Sequence, residues 1–589
     1  MTYSVGVQRD DPTPIPEPLS AAIRELTPRS IVLGIALALI LGAANAYLGL
    51  YAGLTVSASI PAAVISMAIL RILGGSTILE NNVVQTIASA GEAVAAGAIF
   101  TFPALVILGG VKTLPYVEVT ALCVVGATTG ALLVVFLRRA YIVEERLPFP
   151  EGVACAQVLR AGDARANVRP LVVGGLISAA LKALQDVAGV IPGAVSGARW
   201  VGSAAVAGSL DISAALLGVG YIIGIRIAAL VFAGGAFAWF VAIPVLTAFH
   251  PGRGMGDAAM RASQLWSGQV RYLGVGAMLT GGGVTLWRLR TRIASAIADS
   301  IRIVRSTQAA ATAREDNDLS ARSVLTAVAL CVPVIFVICV GLSGRVALSA
   351  ALAVLLTLIC FFATAIAGYL TGIVGASNNP VSGVTVIVLL AVALFLKFAG
   401  VSQSVGPQLA ILSGAIVCTA AAMAGDSMHD LATGFHVGAT PRSLEIGVLV
   451  GAIASSFVMA PILNLLIAGY GIAGTATARA GALAAPQAFL MAKVTQGVFH
   501  GGLPLGTIAA GAALAAILGL SDRYLERIGS KWRTPIMPAA IGLYLPFGLS
   551  VTIFVGALAH SFLGVEDDAE SGAGILLAAG LVAGEALMG

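Results

Sequence analysis

The feature that most constrains this chain is an almost unbroken succession of apolar stretches, each long enough to cross a bilayer as a helix, from Ser30 to near Gly589. Apolar types make up 58% of the 589 residues and charged types only 10%, whereas a soluble domain carries about 25% charged residues. This composition excludes a large water-soluble enzyme, a disordered chain and a disulfide-stapled secreted scaffold. The small, dispersed net charge of +5 gives no reason to expect nucleic-acid binding. An all-α polytopic membrane protein is predicted.

The lengths of the apolar stretches predict about 14–17 membrane segments. The stretches cover 30–50, 54–73, 83–108, 117–137, 171–190, 201–224, 228–249, 271–289, 323–342, 346–369, 380–398, 408–424, 444–468, 485–520, 535–560 and 572–588. Gly501, Gly502 and Pro504 interrupt the stretch 485–520, which is compatible with two short helices.

Charge and proline divide the chain into four parts. They are a polar cytoplasmic tail (1–28), an N-terminal membrane half (29–289), a basic cytoplasmic linker (290–322) and a C-terminal membrane half (323–589). The tail lacks the basic start and apolar core of a cleavable signal. Arginine is concentrated in 138–170, 290–322 and 521–534. The positive-inside rule places these loops and the N-terminus in the cytoplasm.

Two short motifs recur in the two halves. Tyr51–Pro61 resembles Tyr369–Pro380, and Tyr221–Gly224 resembles Tyr544–Gly548, at a shared offset of about 320 residues. With the segments above, both pairs cross the membrane in opposite senses. We therefore expect two pseudo-symmetric, inverted halves with broken helices around a central cavity, as in many secondary transporters.

A dense polar cluster begins the third apolar stretch. It contains Glu80, Asn81, Asn82, Gln85, Ser89 and Glu92. At 100° per residue, four of these side chains, those of Asn81, Gln85, Ser89 and Glu92, share one stripe of a helix. Polar groups at membrane depth mark either a substrate or ion pathway or hydrogen bonds between helices. The pathway is the preferred interpretation, because Glu92 needs a proton, a cation or a partner.

The second half carries a polar counterpart between Gly375 and Gly383. Ser377, Asn378 and Asn379 precede Pro380, which hinders a continuous helix and frees backbone carbonyls. Unwound backbone of this kind coordinates substrates or ions in transporters. A tight loop between helices is the alternative.

Further polar residues stand in apolar surroundings. Arg226, close to Tyr221, and Lys493, on one helix face with Gln496 and His500, are candidates to bind a substrate carboxylate. Snorkelling to the cytoplasmic surface is the alternative for Arg226. Tyr221 and Tyr544, at matching repeat positions, are further candidates to line the cavity and contact substrate. Ordinary packing between helices is the alternative for both.

Three acids are candidate proton-coupling residues. They are Glu92, Glu80 and Glu585, of which Glu585 lies in the last apolar segment. A paired structural carboxylate is the alternative for Glu585.

Four patterns admit a less specific interpretation. The run Gly425–His436, with two Asp and two His, is expected to be a hydrogen-bonded cytoplasmic loop rather than a metal site. Leu147–Gly152 is typical of a proline-directed turn and a helix start. The Gly-Leu-Ser-Gly run at Ser343 matches intramembrane serine proteases only by a short pattern. The six cysteines form no C-x-x-C and are expected to be packing thiols. No metal and no cofactor are predicted.

The run Asn82–Glu92, with Phe102-Pro103 after it, resembles the signature of the oligopeptide transporter family, which includes the yellow-stripe-like metal-chelate carriers. Matching stretches follow in order along nearly the whole chain. They are Leu147–Gly152, Gly220–Arg226, Arg271–Ala277, Ser377–Gly383, Ala424–Asp426, Gly438–Arg442 and Gly580–Gly589. The resemblance is greatest to the prokaryotic branch. The long acidic N-terminal region of the fungal and plant carriers is absent, so their substrate choice is not carried over to this chain.

The resemblance implies a non-enzymatic secondary active transporter in the bacterial inner membrane. It would import small peptides or peptide-like compounds by alternating access, driven by protons. A metal-chelate or siderophore carrier is the alternative, and an intramembrane hydrolase is the alternative from another class. The expected partners are a peptide or small-molecule substrate, protons and the lipid bilayer. A homodimer is left open.

Overall fold

The structure is a computed structural model. It describes residues 25–53, 55, 57–165, 169–186, 188–249, 257–278, 280–281, 283–284, 287, 317–376, 379, 381–479, 481–501, 505–530, 532–562 and 571–588. Most of the predicted tail 1–28 and of the basic linker 290–322 lies outside these residues, as do Ser377 and Asn378.

Helices dominate the described part of the first half. They are α1 (Pro28–Ala52), α2 (Ser59–Ile72), α3 (Ile78–Thr101), α4 (Pro103–Ile107), α5 (Tyr116–Arg138), α6 (Pro150–Arg165), α7 (Arg169–Asp186), α8 (Ala214–Phe237), α9 (Ile243–Phe249), α10 (Ala258–Leu265) and α11, helical over 271–278. The wider π-helical turns Arg139–Glu144, Ala238–Ala242 and Trp266–Val270 follow α5, α8 and α10. Two strands, β1 (Ala194–Val201) and β2 (Ala204–Asp211), separate α7 from α8.

The described part of the second half is helical throughout. Its helices are α12 (Ala321–Ser343), α13 (Val346–Val374), α14 (Val381–Phe398), α15 (Gly406–Val437), α16 (Pro441–Gly469), α17 (Pro486–His500), α18 (Leu505–Arg527), α19 (Ile536–Tyr544), α20 (Phe547–Phe562) and α21 (Ser571–Met588). The stretch 485–520 forms two helices, α17 and α18, that meet at Gly501.

Ten helices of the described residues are long and apolar enough to span a membrane, which confirms a polytopic all-α membrane protein. Three shorter apolar helices accompany them, so the count of 14–17 stays a prediction. Burial separates these helices into two kinds. The apolar windows of α3 and α15 are each 94% buried within the protein, whereas that of α12 is 17% buried. Thus α3 and α15 form the centre of the bundle, and α12 exposes most of its surface to lipid.

The prediction of a membrane helix over 201–224 is wrong for residues 201–211, which belong to a β-hairpin. Residues 204–211 form β2, which pairs antiparallel with β1 through a turn at Gly202 (φ 60°). A glycine with positive φ suits a two-residue hairpin turn, and β2 turns alternate small side chains toward the protein. The expected division near residue 224 is present, because α8 kinks at Gly224 (φ 75°, ψ 167°).

Two short non-helical segments, which we call breaks, separate consecutive helices, one in each half. The first break (53–58) separates α1 from α2 and begins at Gly53 with φ 74°. The second break (375–380) separates α13 from α14 and begins at Gly375 with φ 87°. Only glycine adopts these positive φ values without strain. The break expected in the second half is therefore confirmed.

Helices α3 and α15 run antiparallel through the centre of the bundle. Gly97 packs directly on Thr419 near one end, while Gln85 contacts Asp430 near the other. Gly91 of α3 lies against the backbone of Ala38 in α1. Small residues at such crossings let helix backbones approach closely in a membrane.

The prediction of a cytoplasmic loop at Gly425–His436 is wrong. These residues are the last three turns of α15, which ends only at Gly438 with φ 76°. The segment holds no proline, and its polar side chains are buried against other helices, except that Asp426 is partly buried and His436 is exposed. Tertiary burial against α3 explains why a polar run continues an apolar helix.

Candidate functional site

Acidic side chains from three helices meet where the two breaks approach α3 and α15. We call this group the acidic junction; its members are Glu92 of α3, Glu151 of α6, and Asp426, His429 and Asp430 of α15. Asp426 and Asp430 lie one turn apart on α15, so they share one face of the helix. The group therefore joins elements from both halves of the chain.

Asp430 is held by hydrogen-bond donors of the first half. Gln85 Nε2 donates to Asp430 Oδ1. Ser59 Oγ, at the start of α2, lies 3.1 Å from the same oxygen and 3.3 Å from Ser89 Oγ. Two predicted residues, Gln85 and Ser89, thus lie together at a carboxylate that the sequence analysis had placed in a loop.

Glu92 contacts Ala58, the last residue of the first break. The backbone N–H of Ala58 donates to Glu92 Oε2 at 2.5 Å. Asp426, Asp430 and Glu151 are near enough to act electrostatically on Glu92. Consecutive residues, Ala58 and Ser59, therefore bind the carboxylates of Glu92 and Asp430.

The second break contacts the same junction through Glu151. The carboxyl group of Glu151 fills the space that a β-carbon at Gly375 would occupy. His429 Nδ1 lies 3.7 Å from Glu151 Oε2, and neither ring nitrogen of His429 has a hydrogen-bond partner among the described residues. As predicted, Pro150 starts a helix, α6, and this helix start carries Glu151.

Asn379 is the described polar residue of the second break. Its Nδ2 donates to Thr371 Oγ1 at 3.0 Å and to Ala367 O at 3.3 Å. Its Oδ1 is buried without a hydrogen-bond partner among the described residues, and its amide packs on Gly425. A buried acceptor of this kind can receive an N–H from a bound molecule.

No described lysine or arginine side chain forms an ion pair with Glu92, Asp426 or Asp430. Within the described part of the chain, no group of three His, Cys, Asp or Glu side chains is arranged to hold a metal ion. Several buried carboxylates without a cation cannot all be ionised at low energetic cost. The arrangement can therefore hold a proton that passes between acids.

The stripe predicted on α3 is buried rather than open to water. Asn82 and Gln85 are fully buried, and Glu92 is 4% exposed. Asn82 Nδ2 donates to Gln85 Oε1 at 2.9 Å, whereas Asn81 faces α2 and binds Ser66 and Ser76. In this conformation, packed helices cover the polar residues that were expected to line a cavity.

Glu80 belongs to an ion pair at the starts of helices α1 and α3. Arg29 donates two hydrogen bonds to the Glu80 carboxylate, at 2.6 and 2.7 Å, and Thr27 Oγ1 donates a third. This geometry fixes the start of α1 to that of α3. It gives Glu80 a structural contact with no link to the acidic junction.

Glu585 binds the start of α8. Its Oε1 accepts from Ser213 Oγ at 2.8 Å and its Oε2 from the backbone N–H of Ala215 at 2.9 Å. A carboxylate at a helix N-terminus satisfies unpaired N–H groups and complements the helix dipole. The geometry is that of the structural alternative stated above.

Tyr221 and Arg226 lie apart from the acidic junction. The ring of Tyr221 contacts that of His560 at an interplanar angle of 54°, with ring centroids 4.5 Å apart, and the backbone carbonyl of Tyr221 lies 2.9 Å from His560 Nδ1. Arg226 follows the kink at Gly224 and is exposed at the surface of the protein.

Lys493 and Tyr544 meet at a second polar group, the arginine cage, formed by Arg271 with Trp266, Phe489 and Tyr544. The Arg271 guanidinium lies 4.0 Å from the Phe489 ring centroid, 4.4 Å from that of Tyr544 and 4.8 Å from that of Trp266. Lys493 Nζ lies 5.4 Å from the Phe489 ring. The hydroxyl of Tyr544 donates to Pro486 O.

The residues that the sequence analysis missed are Glu151, Asp426, His429, Asp430 and Arg271. A helical spacing of four residues between Asp426 and Asp430, with no proline or turn after the apolar run 408–424, could have indicated one continuous helix. Arg271 begins the predicted segment 271–289 and the family-matching stretch Arg271–Ala277, but no sequence signal shows its aromatic partners, because they come from long-range packing. Ser343, the residue of the protease-like pattern, ends α12 and contacts Ser349 Oγ at 2.9 Å.

Comparison with known proteins agrees with the resemblance found in the sequence. The OPT oligopeptide transporter protein family matches residues 25–589. The chain is 33% identical over 578 residues to a Haemophilus influenzae protein named "Putative oligopeptide transporter", covering 92% of this chain and 91% of that protein. A bacterial relative of this kind supports a bacterial membrane location. The chain belongs to the OPT oligopeptide transporter family.

Proposed function

We propose that this protein imports small peptides or peptide-like compounds across the bacterial inner membrane together with protons. The observation that carries the proposal is the acidic junction, in which Glu92 and Asp430 are buried and Asp426 is partly buried near them, without a lysine or arginine partner among the described residues. Carboxyl groups in such surroundings bind and release protons as their access to water changes. The name of the Haemophilus relative supports a peptide substrate.

The two breaks supply the moving parts of this mechanism. Ala58 of the first break binds Glu92, and the next residue, Ser59 at the start of α2, binds Asp430. Gly375 of the second break lies against Glu151. A rearrangement of either break changes the contacts of these acids, which couples protonation to alternating access. Helices α3 and α15, one from each half, run antiparallel, which supports an inverted repeat. The proposal places the N-terminus in the cytoplasm.

Polar groups beside the breaks are the proposed substrate contacts. Two buried acceptors, Asn82 Oδ1 and Asn379 Oδ1, have no hydrogen-bond partner among the described residues and are suited to bind peptide N–H groups. Gln85 and Ser89 line the same region, and Ser377 and Asn378 neighbour Asn379 in the chain. Transport requires that the covering helices separate, because these groups are buried in the present conformation.

Uptake by purified protein in liposomes tests the proposal. The substrates are di- to pentapeptides, glutathione and metal chelates, each with and without an inward proton gradient. We expect at least one peptide to accumulate only when the gradient is present. Uptake of labelled metal that requires its chelator, with no peptide uptake, would instead support the metal-chelate carrier.

A further inference from the structure

We propose that Arg271 binds the carboxylate of the transported molecule, with the aromatic rings of the arginine cage around it. This inference rests on the proposed function and extends it to a specific contact. The site would take a peptide with a free C-terminal carboxylate.

The first argument is the burial of a cation without an anion. Arg271 is 6% exposed, and its Nε and Nη2 have no hydrogen-bond partner among the described residues. No described carboxylate forms an ion pair with it. A buried guanidinium left with unsatisfied N–H groups is costly, and a planar carboxylate satisfies two of them at once.

The second argument is that most polar groups of the cage also donate. Trp266 Nε1 is buried without a hydrogen-bond partner among the described residues, and the Arg271 guanidinium lies 4.8 Å from the same indole ring. Lys493, half-buried, contacts the same Phe489 ring as Arg271. The Tyr544 hydroxyl can accept from Arg271, but Nε and Nη2 of the guanidinium still have no partner among the described residues. Indole, ammonium and guanidinium groups carry donors only, so an anionic group would supply the missing acceptors.

The third argument is the position of the cage relative to the first break. Pro486, whose carbonyl accepts from Tyr544, packs on Gly53 at the start of that break. Gln487 Nε2 lies 3.5 Å from Gly53 O, and Gln487 Oε1 is buried without a partner among the described residues. The cage therefore adjoins one end of the break, and the acidic junction adjoins the other end.

This placement gives the substrate a direction. The carboxylate of a bound peptide would meet Arg271, and its amino group would point toward Glu92 and Asp430.

Equilibrium binding of trialanine and trialanine amide to the purified full-length protein tests the inference. The readouts are Trp266 fluorescence, with Trp266→Phe as the reference for the signal, and thermal stabilisation. We expect trialanine to bind the wild type at least tenfold more tightly than the amide. Arg271→Gln should lose this difference, Arg271→Lys should restore part of it, and Arg523→Gln, at an exposed position of α18, should keep it.

Equal binding of acid and amide by the wild type would overturn the inference, even if Arg271→Gln fails to fold. Retention of the difference in folded Arg271→Gln would overturn it as well, and so would inorganic phosphate that competes as strongly as trialanine. Uptake is measured separately in liposomes. Acid-selective binding without uptake would contradict the proposed function and support the Arg271 site, whereas uptake of both compounds at equal rates would do the reverse.

Discussion

Two buried glutamates, Glu92 and Glu585, bind helix starts in similar ways but in different electrostatic surroundings. Glu585 accepts from Ser213 and Ala215 at the start of α8, so both of its oxygens have a protein donor. Glu92 accepts from Ala58 at the start of α2, yet three other acids act on it. A carboxylate whose two oxygens both accept hydrogen bonds is stabilised in its ionised form. A carboxylate close to other acids can be either ionised or protonated, depending on the charge of its neighbours. On this contrast we propose a structural role for Glu585 and a proton-coupling role for Glu92.

The largest expected effect is the loss of proton coupling in Glu92→Gln. Glutamine keeps an oxygen for the Ala58 N–H but cannot bind or release a proton at neutral pH. We expect gradient-driven accumulation in liposomes to fall at least tenfold and to become independent of pH, while substrate exchange without a gradient persists. Glu585→Gln, the matched control, should keep the pH dependence. Unchanged pH dependence in Glu92→Gln would exclude this residue from coupling.

A second variant tests whether the second break takes part in the acidic junction. In Gly375→Ala, the new methyl group would displace the Glu151 carboxyl and strain a backbone with φ 87°. We expect uptake to fall about tenfold and the free energy of unfolding to fall by about 1–3 kcal/mol.

Gly400→Ala is the matched control for this second variant. Gly400 also has a positive φ, 70°, but nothing lies within 4 Å of the position of its β-carbon. It should lower thermal stability through backbone strain alone and leave uptake per folded molecule unchanged. Equal loss of uptake in both variants would show that strain, not Glu151, causes the effect.

Glu585→Gln tests the structural side of the comparison. Removing the charge weakens the interaction with the α8 N-terminus, so we expect a loss of about 1 kcal/mol in stability. Thermal unfolding of the detergent-solubilised protein measures it. A stability equal to that of the wild type, together with altered proton coupling, would reverse the roles assigned to Glu585 and Glu92.

The smallest expected effect concerns Asp211, a third acid beside a helix start. Asp211 ends β2, outside the membrane spans, and its carboxyl packs on Gly548 at the start of α20. Burial raises its pKa from 3.8 to about 6. An acid whose pKa is raised by folding costs stability once it ionises, so stability should fall as the pH rises from about 4 to about 6 and stay lower above that.

Asp211→Asn should remove that loss. We expect the stability advantage of the variant over the wild type to increase by about 1 kcal/mol from pH 5 to pH 7.5. Thermal unfolding at both pH values measures the gain. A gain of the same size at both pH values would show that packing, rather than ionisation, limits stability at this position.

Local patterns alone determined the membrane class, the glycine break after Val374, the helix start at Pro150 and the polar stripe containing Gln85, Ser89 and Glu92. Each depends on apolar length, helical periodicity, or the restricted backbone of glycine and proline, all of which act over a few residues. The hairpin 194–211 was not foreseen, because its small apolar residues satisfy a membrane helix as well as a strand.

Only the tertiary structure decided which polar residues act together. It brought Asp430, some 340 positions from Gln85, against α3, and it enclosed Arg271 among aromatic rings from distant helices. It also separated Glu80 and Glu585, each bound to a helix start, from Glu92. Sequence determines whether a side chain is charged and which helix carries it. The partners that satisfy that charge come from helix packing, and those partners distinguish a structural acid from one that can exchange a proton.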